Sequence, residues 1–109
     1  MLATLRVDRT GRIRAWSRQA EELLGYSAIE VVGQSIEIII PLHLRERHWT
    51  GFARYVQTGI STLPEITTTI AVHKTGKHMN LPISVKAIYG EDKEVAAVES
   101  TFYPSPDLT

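Results

Sequence analysis

The sequence contains no cysteine. That excludes a disulfide framework, a zinc–thiolate site, an iron–sulfur cluster, a cysteine nucleophile and a flavin held through a cysteine. It has no excess of either charge: Lys and Arg total 12, Asp and Glu total 12, and the formal net charge is zero. The global basic field of a dedicated nucleic-acid binder is therefore missing, and direct nucleic-acid binding is not expected. Its apolar runs are only a few residues long, far short of a membrane span. The N-terminal Met1-Leu-Ala-Thr-Leu-Arg-Val-Asp8 alternates instead of forming a basic-then-apolar leader, so a cytoplasmic location is the default expectation. There is no repeat, no low-complexity tract and no internal linker.

What is present is a globular composition. The chain has 109 residues, 43% hydrophobic, 22% charged and 7% aromatic. That is one domain's worth of sequence, able to bury roughly 65% of its unfolded surface in a single core. The expected domain covers residues 1–103. Pro104-Ser-Pro-Asp-Leu-Thr109 reads as a tail or the start of a linker, because its two prolines do not suit a central strand. A strand directly after Met1 suggests a very compact domain or one cut from a longer protein.

Residues 2–7 read as a strand with Leu5 and Val7 on one face. Asp8-Arg-Thr-Gly11 is a turn and Arg12–Trp16 the returning strand. Ser17 is placed to cap a helix over 18–24 that Gly25 ends. Ser27-Ala-Ile-Glu30 is a capping box opening a second short helix ended by Gly33. The apolar run Ile36–Ile40 stops at Pro41, which suits the first turn of a helix running from Leu42 to about Gln57. Leu44, His48, Phe52 and Tyr55 or Val56 form its apolar stripe. Strands follow at 66–72, 78–89 and 94–103, with Pro82 arguing for an edge or a bulge. The order β-β-α-α-α-β-β-β implies an α+β domain whose antiparallel sheet carries its helices on one face.

These motifs resemble one family. Asp8-Arg-Thr-Gly-Arg-Ile13 with Trp16, Ala20-Glu-Glu-Leu-Leu-Gly-Tyr26, Glu30-Val-Val-Gly33, Ile38-Ile-Ile-Pro41 and His73-Lys-Thr-Gly76 are similar, in register over nearly the whole chain, to the PAS sensor domains. The resemblance implies a five-stranded antiparallel sheet flanked by helices, with a cavity between sheet and long helix. It also implies a sensory or dimerising role that regulates an effector outside this chain. The closing strand departs from the family pattern: Thr101-Phe-Tyr-Pro104 stands where many members have an Arg-Asp-x-Thr run.

Arg45-Glu-Arg-His48 and Arg54-Tyr55 further resemble the haem-binding branch of that family, in which a histidine on this helix is the proximal ligand. His48 is then the candidate axial ligand and the only candidate metal ligand. A neutral imidazole on an apolar wall suits iron. The bland reading is a histidine packed at the helix–sheet boundary. The strand position that carries a distal arginine in that branch holds Thr67 here, which offers only a neutral donor. Phe52, Thr67, Thr69, Ile83, Val85 and Val98 are the expected pocket lining, although threonine is also simply a good strand former. His43, His73 and His78 do not form a metal triad with His48, and His73 and His78 are expected to be solvated beside their turn. Glu21, Glu22, Glu46, Arg45, Arg47 and Arg54 are expected on solvated faces.

No nucleophile–base arrangement, phosphate loop or dinucleotide motif stands in the sequence, and catalysis is not expected. The leading expectation is a non-catalytic sensory module that binds a small ligand in an apolar cavity, or dimerises, or both. No residue pattern identifies a cofactor other than the haem that the resemblance offers. The alternatives are a haem-based gas or redox sensor using His48, and a small enzyme using the same cavity. A homodimer through the N-terminal strand or the outer sheet face is expected, because exposed edges meet little charge repulsion.

Overall fold

Strict alternation sorts the first strand. In β1 (Ala3–Asp8), Ala3, Leu5 and Val7 are buried while Arg6 is exposed. β1 pairs antiparallel with β2 (Ile13–Trp16), Leu5 opposite Trp16 and Val7 opposite Ile13, with an irregularity between Arg6 and Val7. The turn between them is built by Asp8. Its Oδ1 accepts from the Thr10 hydroxyl and from the backbone N–H groups of Thr10 and Arg12. Gly11 has φ of 84°, and a Cβ there would lie 2.2 Å from the Trp49 ring. Both facts require glycine at this position.

The computed structural model describes residues 2–61 and 64–103. Ser17 caps α1 (Arg18–Leu24) by accepting from the Ala20 N–H, and Gly25 ends it in the left-handed region. The expected capping box opens α2 (Ala28–Val31), with the Ser27 and Glu30 side chains each bonded to the other's backbone N–H. The run Ile36–Ile40, assigned no element from sequence, is mostly a 3₁₀ turn over Ile36–Ile39 that buries Ile36 and Ile39. Pro41 precedes a second 3₁₀ turn, Leu42–Leu44. The long helix α3 therefore spans Arg45–Thr58, starting three residues later than expected, and ends at Gly59 in the left-handed conformation.

β3 (Thr67–Val72), β4 (His78–Tyr89) and β5 (Val95–Phe102) complete one antiparallel sheet in the order β2-β1-β5-β4-β3. The α+β class and the five-stranded sheet are as expected. β5 lies between β1 and β4, pairing Val7 with Val98 and Ala87 with Val98. A register shift at Ile88/Tyr89 lets both Val95 and Val98 be buried while Ala96 is exposed.

Pro82 corrects one expectation. β4 is not an edge strand, since it has β3 on one side and β5 on the other. The Pro82 carbonyl accepts from the Tyr103 N–H. N–H and C=O of one strand residue point the same way, so the missing donor faces the end of β5, where the ladder is already closing. The expected tail, 104–109, lies outside the described residues.

Candidate functional site

The inner face of the sheet carries the predicted lining, and β-pairing aligns it. Thr67 stands opposite Ile83, Ile83 opposite Phe102, and Val85 opposite Ser100, which in turn faces Leu5. Thr67, Thr69, Ile83, Val85 and Val98 therefore share one face. Their cover differs along the sheet. Val98 is 3% exposed, Thr67, Thr69 and Ile83 are half-buried, and Val85 is 38% exposed.

α3 crosses this side of the domain. Of its residues only Val56 is fully buried. Trp49, Phe52 and Tyr55 pack against the core from partly buried positions. Trp49 is fixed twice: its ring passes over Gly11, and its Nε1–H donates to Glu37 Oε1 at 2.6 Å. Phe52 meets it edge-on, ring centres 5.4 Å apart. At the helix end, Tyr55 shares a hydrogen bond with the Ala87 backbone, and burial pushes its phenol up from the usual value.

His48 lies among these rings, half-buried, 4.8 Å from Trp49 and 5.8 Å from Phe52 between ring centres. Burial lowers its pKa, and the Glu37 carboxylate opposes that shift in part. The imidazole is therefore neutral at pH 7. Its Nδ1 is buried and has no hydrogen-bond partner. A buried donor or acceptor without a partner costs about 1–3 kcal/mol, so this nitrogen is the unexplained buried side-chain polar atom among the described residues. A neutral imidazole with an unengaged nitrogen fits the donor chemistry of an axial haem ligand.

Two open grooves flank α3, and His48 lines neither. One, of about 430 Å³, runs between α3 and the β1–β2 turn along Arg9, Thr10, Trp49, Phe52, Val56 and Gln57. The other, of about 490 Å³, lies on the solvent side of α3 along His43, Glu46, Arg47, Thr50, Gly51 and Arg54. Of the predicted lining, the structure gathers Thr67, Thr69, Ile83 and Val85 on one sheet surface, places Phe52 in the first groove, and closes Val98 into the core.

Several side chains depart from their expected settings. Arg45 is half-buried rather than solvated, donating to the carbonyls of Glu37 and Ile40 and so tying the helix start to the preceding turn. Glu21 accepts from the Ala28 N–H. His73 is not free in solvent: its ring lies against Gly25, where a Cβ would come within 2.5 Å, and its Nδ1 is bonded to Thr75. His43 and His78 are exposed with near-parallel rings, centres 6.5 Å apart. Among the described residues no group of three His, Asp or Glu is arranged to hold a metal ion. Sequence reasoning passed over Glu37 and Trp49. The only signal for them was Gly11, whose missing side chain makes room for the indole.

An antiparallel sheet in this strand order, with a helix crossing its inner face, defines a class of small sensor folds, and comparison with known proteins agrees. The PAS fold profile matches residues 3–98. The chain belongs to the PAS family. It is 38% identical over 56 residues to the sensor protein FixL of Bradyrhizobium diazoefficiens, a match covering 51% of this chain and 11% of that protein. It is 26% identical over 101 residues to a probable serine/threonine-protein kinase of Dictyostelium discoideum, covering 90% of this chain and 7% of that one. The chain thus spans about a tenth or less of the curated relatives it matches. Among solved structures, the PAS domain of a Colwellia psychrerythraea protein aligns with a TM-score of 0.80 at 20% identity, over 97% of this chain and 87% of that one. The Drosophila melanogaster Cycle PAS-B domain with bound ethylene glycol aligns at 0.72 with 14% identity, over 93% and 97%. These likenesses establish the fold. Among the described residues no helix is long and apolar enough to cross a membrane.

Proposed function

We propose that this domain is a non-catalytic, cytoplasmic sensory module that takes a small, largely apolar ligand against the β3–β4 half of its inner sheet face. Occupancy changes the set of the sheet, and the sheet passes that change to an effector outside this chain. The observation that carries the reading is the uneven cover of one face: Thr67, Thr69, Ile83 and Val85 keep exposure that Val7, Val98 and Phe102 on β1 and β5, and Ala71 and Leu81 on their own strands, have lost. Threonine hydroxyls among apolar walls supply the few oriented polar groups a small-molecule site needs. Self-association as a homodimer through the outer sheet face accompanies this role; the expected alternative, the N-terminal strand, offers no free edge, because β1 is paired with β2 on one side and β5 on the other. Direct contact with nucleic acid or membrane is not part of it.

Native mass spectrometry of the chain purified without denaturation tests ligand binding. The expected result is a bound mass above the 12.2 kDa chain, lost in Val85→Trp and in Thr69→Trp, which fill the open half. A wild-type protein carrying no added mass, or variants that keep it, overturns the reading. Sedimentation tests the dimer, which monomeric behaviour at all concentrations would exclude.

A second reading is favoured by one observation, the unpaired buried Nδ1 of His48. In it the ligand is haem and His48 its axial residue. Bound haem would supply a gas- or redox-responsive iron. The protein's part is to hold the imidazole neutral by burial and to fix it between Trp49 and Phe52. A Soret band in reconstituted protein, lost in His48→Ala and kept in His73→Ala and His78→Ala, is the expected result. Equal spectra for wild type and His48→Ala remove this reading and leave the first intact.

A further inference from the structure

The arginines of this chain divide sharply. Arg6 pairs with Glu99, Arg9 with Glu94 and the Val95 carbonyl, Arg14 with Asp8, and Arg18 with Glu22. Arg12 donates to the Gly33 carbonyl and Arg45 to those of Glu37 and Ile40. Arg47 and Arg54 alone make no hydrogen bond or ion pair through their side chains among the described residues, and both line the groove on the solvent side of α3. They are seven residues apart, two helical turns, or about 10 Å along the axis.

Gly51 lies between them. Glycine inside a helix is destabilising relative to alanine, and packing does not require it here: a Cβ at this position would meet no heavy atom within 4 Å. Its backbone is helical, so no unusual φ explains it. What glycine does at this position is leave a notch in the helix surface between the two free guanidinium groups. Thr50 and His43 complete the cationic and polar lining. Glu46 is the one carboxylate facing the groove.

We propose that this face of α3 is a binding site for a small polyanion with at least two phosphoryl groups, one held by the Arg47 fork and one by the Arg54 fork, its bridging atoms seated over Gly51. Guanidinium forks match phosphoryl oxygens two at a time, and the open groove lined by both arginines lets one anion reach the pair. The site is separate from the inner sheet face and does not depend on a ligand there.

Titration of the full chain with sodium tripolyphosphate at low ionic strength, followed by calorimetry, tests the assignment. The expected result is saturable one-to-one binding that weakens with added salt. Arg47→Gln and Arg54→Gln should each reduce affinity at least tenfold, and Gly51→Leu should do so with helicity unchanged by circular dichroism. Glu46→Gln should tighten binding. Arg18→Gln, altering an arginine on α1, should bind as wild type. Absence of saturable binding, or Arg47→Gln and Arg54→Gln binding as wild type, overturns the proposal. So does failure of tripolyphosphate where a helical peptide with glutamates seven residues apart binds in an Arg47- and Arg54-dependent way, which would make the face a protein-docking surface.

Discussion

The two halves of the inner sheet face carry similar strand-forming residues under very different cover. On the β1–β5 half, Leu5, Val7 and Val98 are each 3% exposed, with Ala20 and Leu24 of α1 and Ile13 of β2 completely buried in the same core. On the β3–β4 half, Ala71 and Leu81 are buried too, but Thr67, Thr69 and Ile83 are half-buried and Val85 more open still. Both halves obey the same alternation, so strand pattern does not produce the difference. The covering elements do. α1 packs directly on β1 and α3 on β5, and neither helix packs comparably on β3 or β4; the α3 rings pack on one another and over Gly11 of the β1–β2 turn. Most of the β1–β5 half is closed; the β3–β4 half is anchored at Ala71 and Leu81 and leaves Thr67, Thr69, Ile83 and Val85 free to change without emptying a closed core site.

Truncation should separate the halves most strongly. Leu24→Ala is expected to cost about 2–5 kcal/mol, the range for emptying a closed core site, read as a lowered urea midpoint. Gly11→Ala should cost at least about 1–2 kcal/mol from its left-handed backbone, with a shift in tryptophan emission as the Trp49 ring is displaced. Acid should act on the two regions in separate windows. Burial acts to raise the Asp8 pKa, but hydrogen bonds from Thr10, Arg12 and Arg14 outweigh it and hold the carboxyl at about 2, below the usual 3.8. A depressed carboxyl stabilises the fold above its unfolded pKa and ceases to as pH falls through the folded one. Asp8 should therefore contribute about 1–2 kcal/mol at neutral pH, lost between pH 4 and 2 and absent in Asp8→Asn. His48, its pKa lowered chiefly by burial, behaves alike at higher pH. The unfolded chain binds the proton first, so stability should fall as pH drops below about 6.5. His48→Phe should flatten that limb and leave the Asp8 limb unchanged. Ser27→Ala should cost about 1 kcal/mol by removing the α2 cap. Val85→Ala should cost least, under about 1 kcal/mol, because a half-exposed valine has little transfer energy to lose. A Val85→Ala loss equal to that of Leu24→Ala would break the comparison.

Much of the fold was legible because its punctuation is local. Ser17, Gly25, Ser27 with Glu30, and Gly59 each mark a helix end by a bond or a φ value that involves near neighbours, and alternation placed Leu5 and Val7. The run Ile36–Ile40 was not legible, because a short apolar stretch has no period that distinguishes a strand from a 3₁₀ turn. Pro82 misled because the direction of its nitrogen depends on where β5 ends, a fact of tertiary structure. At the site, residue types could be read, but not their cover. Nothing near Arg45 in sequence shows that it reaches back to Glu37 and Ile40, or that Trp49 lies over a glycine 38 positions earlier. Those are meetings between distant segments, and only the folded chain specifies them.

The position of β5 has a consequence for how this domain comes into being. The last strand in sequence is the central one in space. Until residues 95–102 leave the ribosome, the chain has two separate ribbons, β1–β2 and β3–β4, with nothing to join them edge to edge. Closure then links residues as far apart as Arg6 and Glu99, which pair across 93 positions. Contacts this distant in sequence slow folding, because the loop entropy is lost before the contacts form. Synthesis alone therefore cannot complete this sheet piece by piece: its last strand sets the moment at which the two ribbons become one surface.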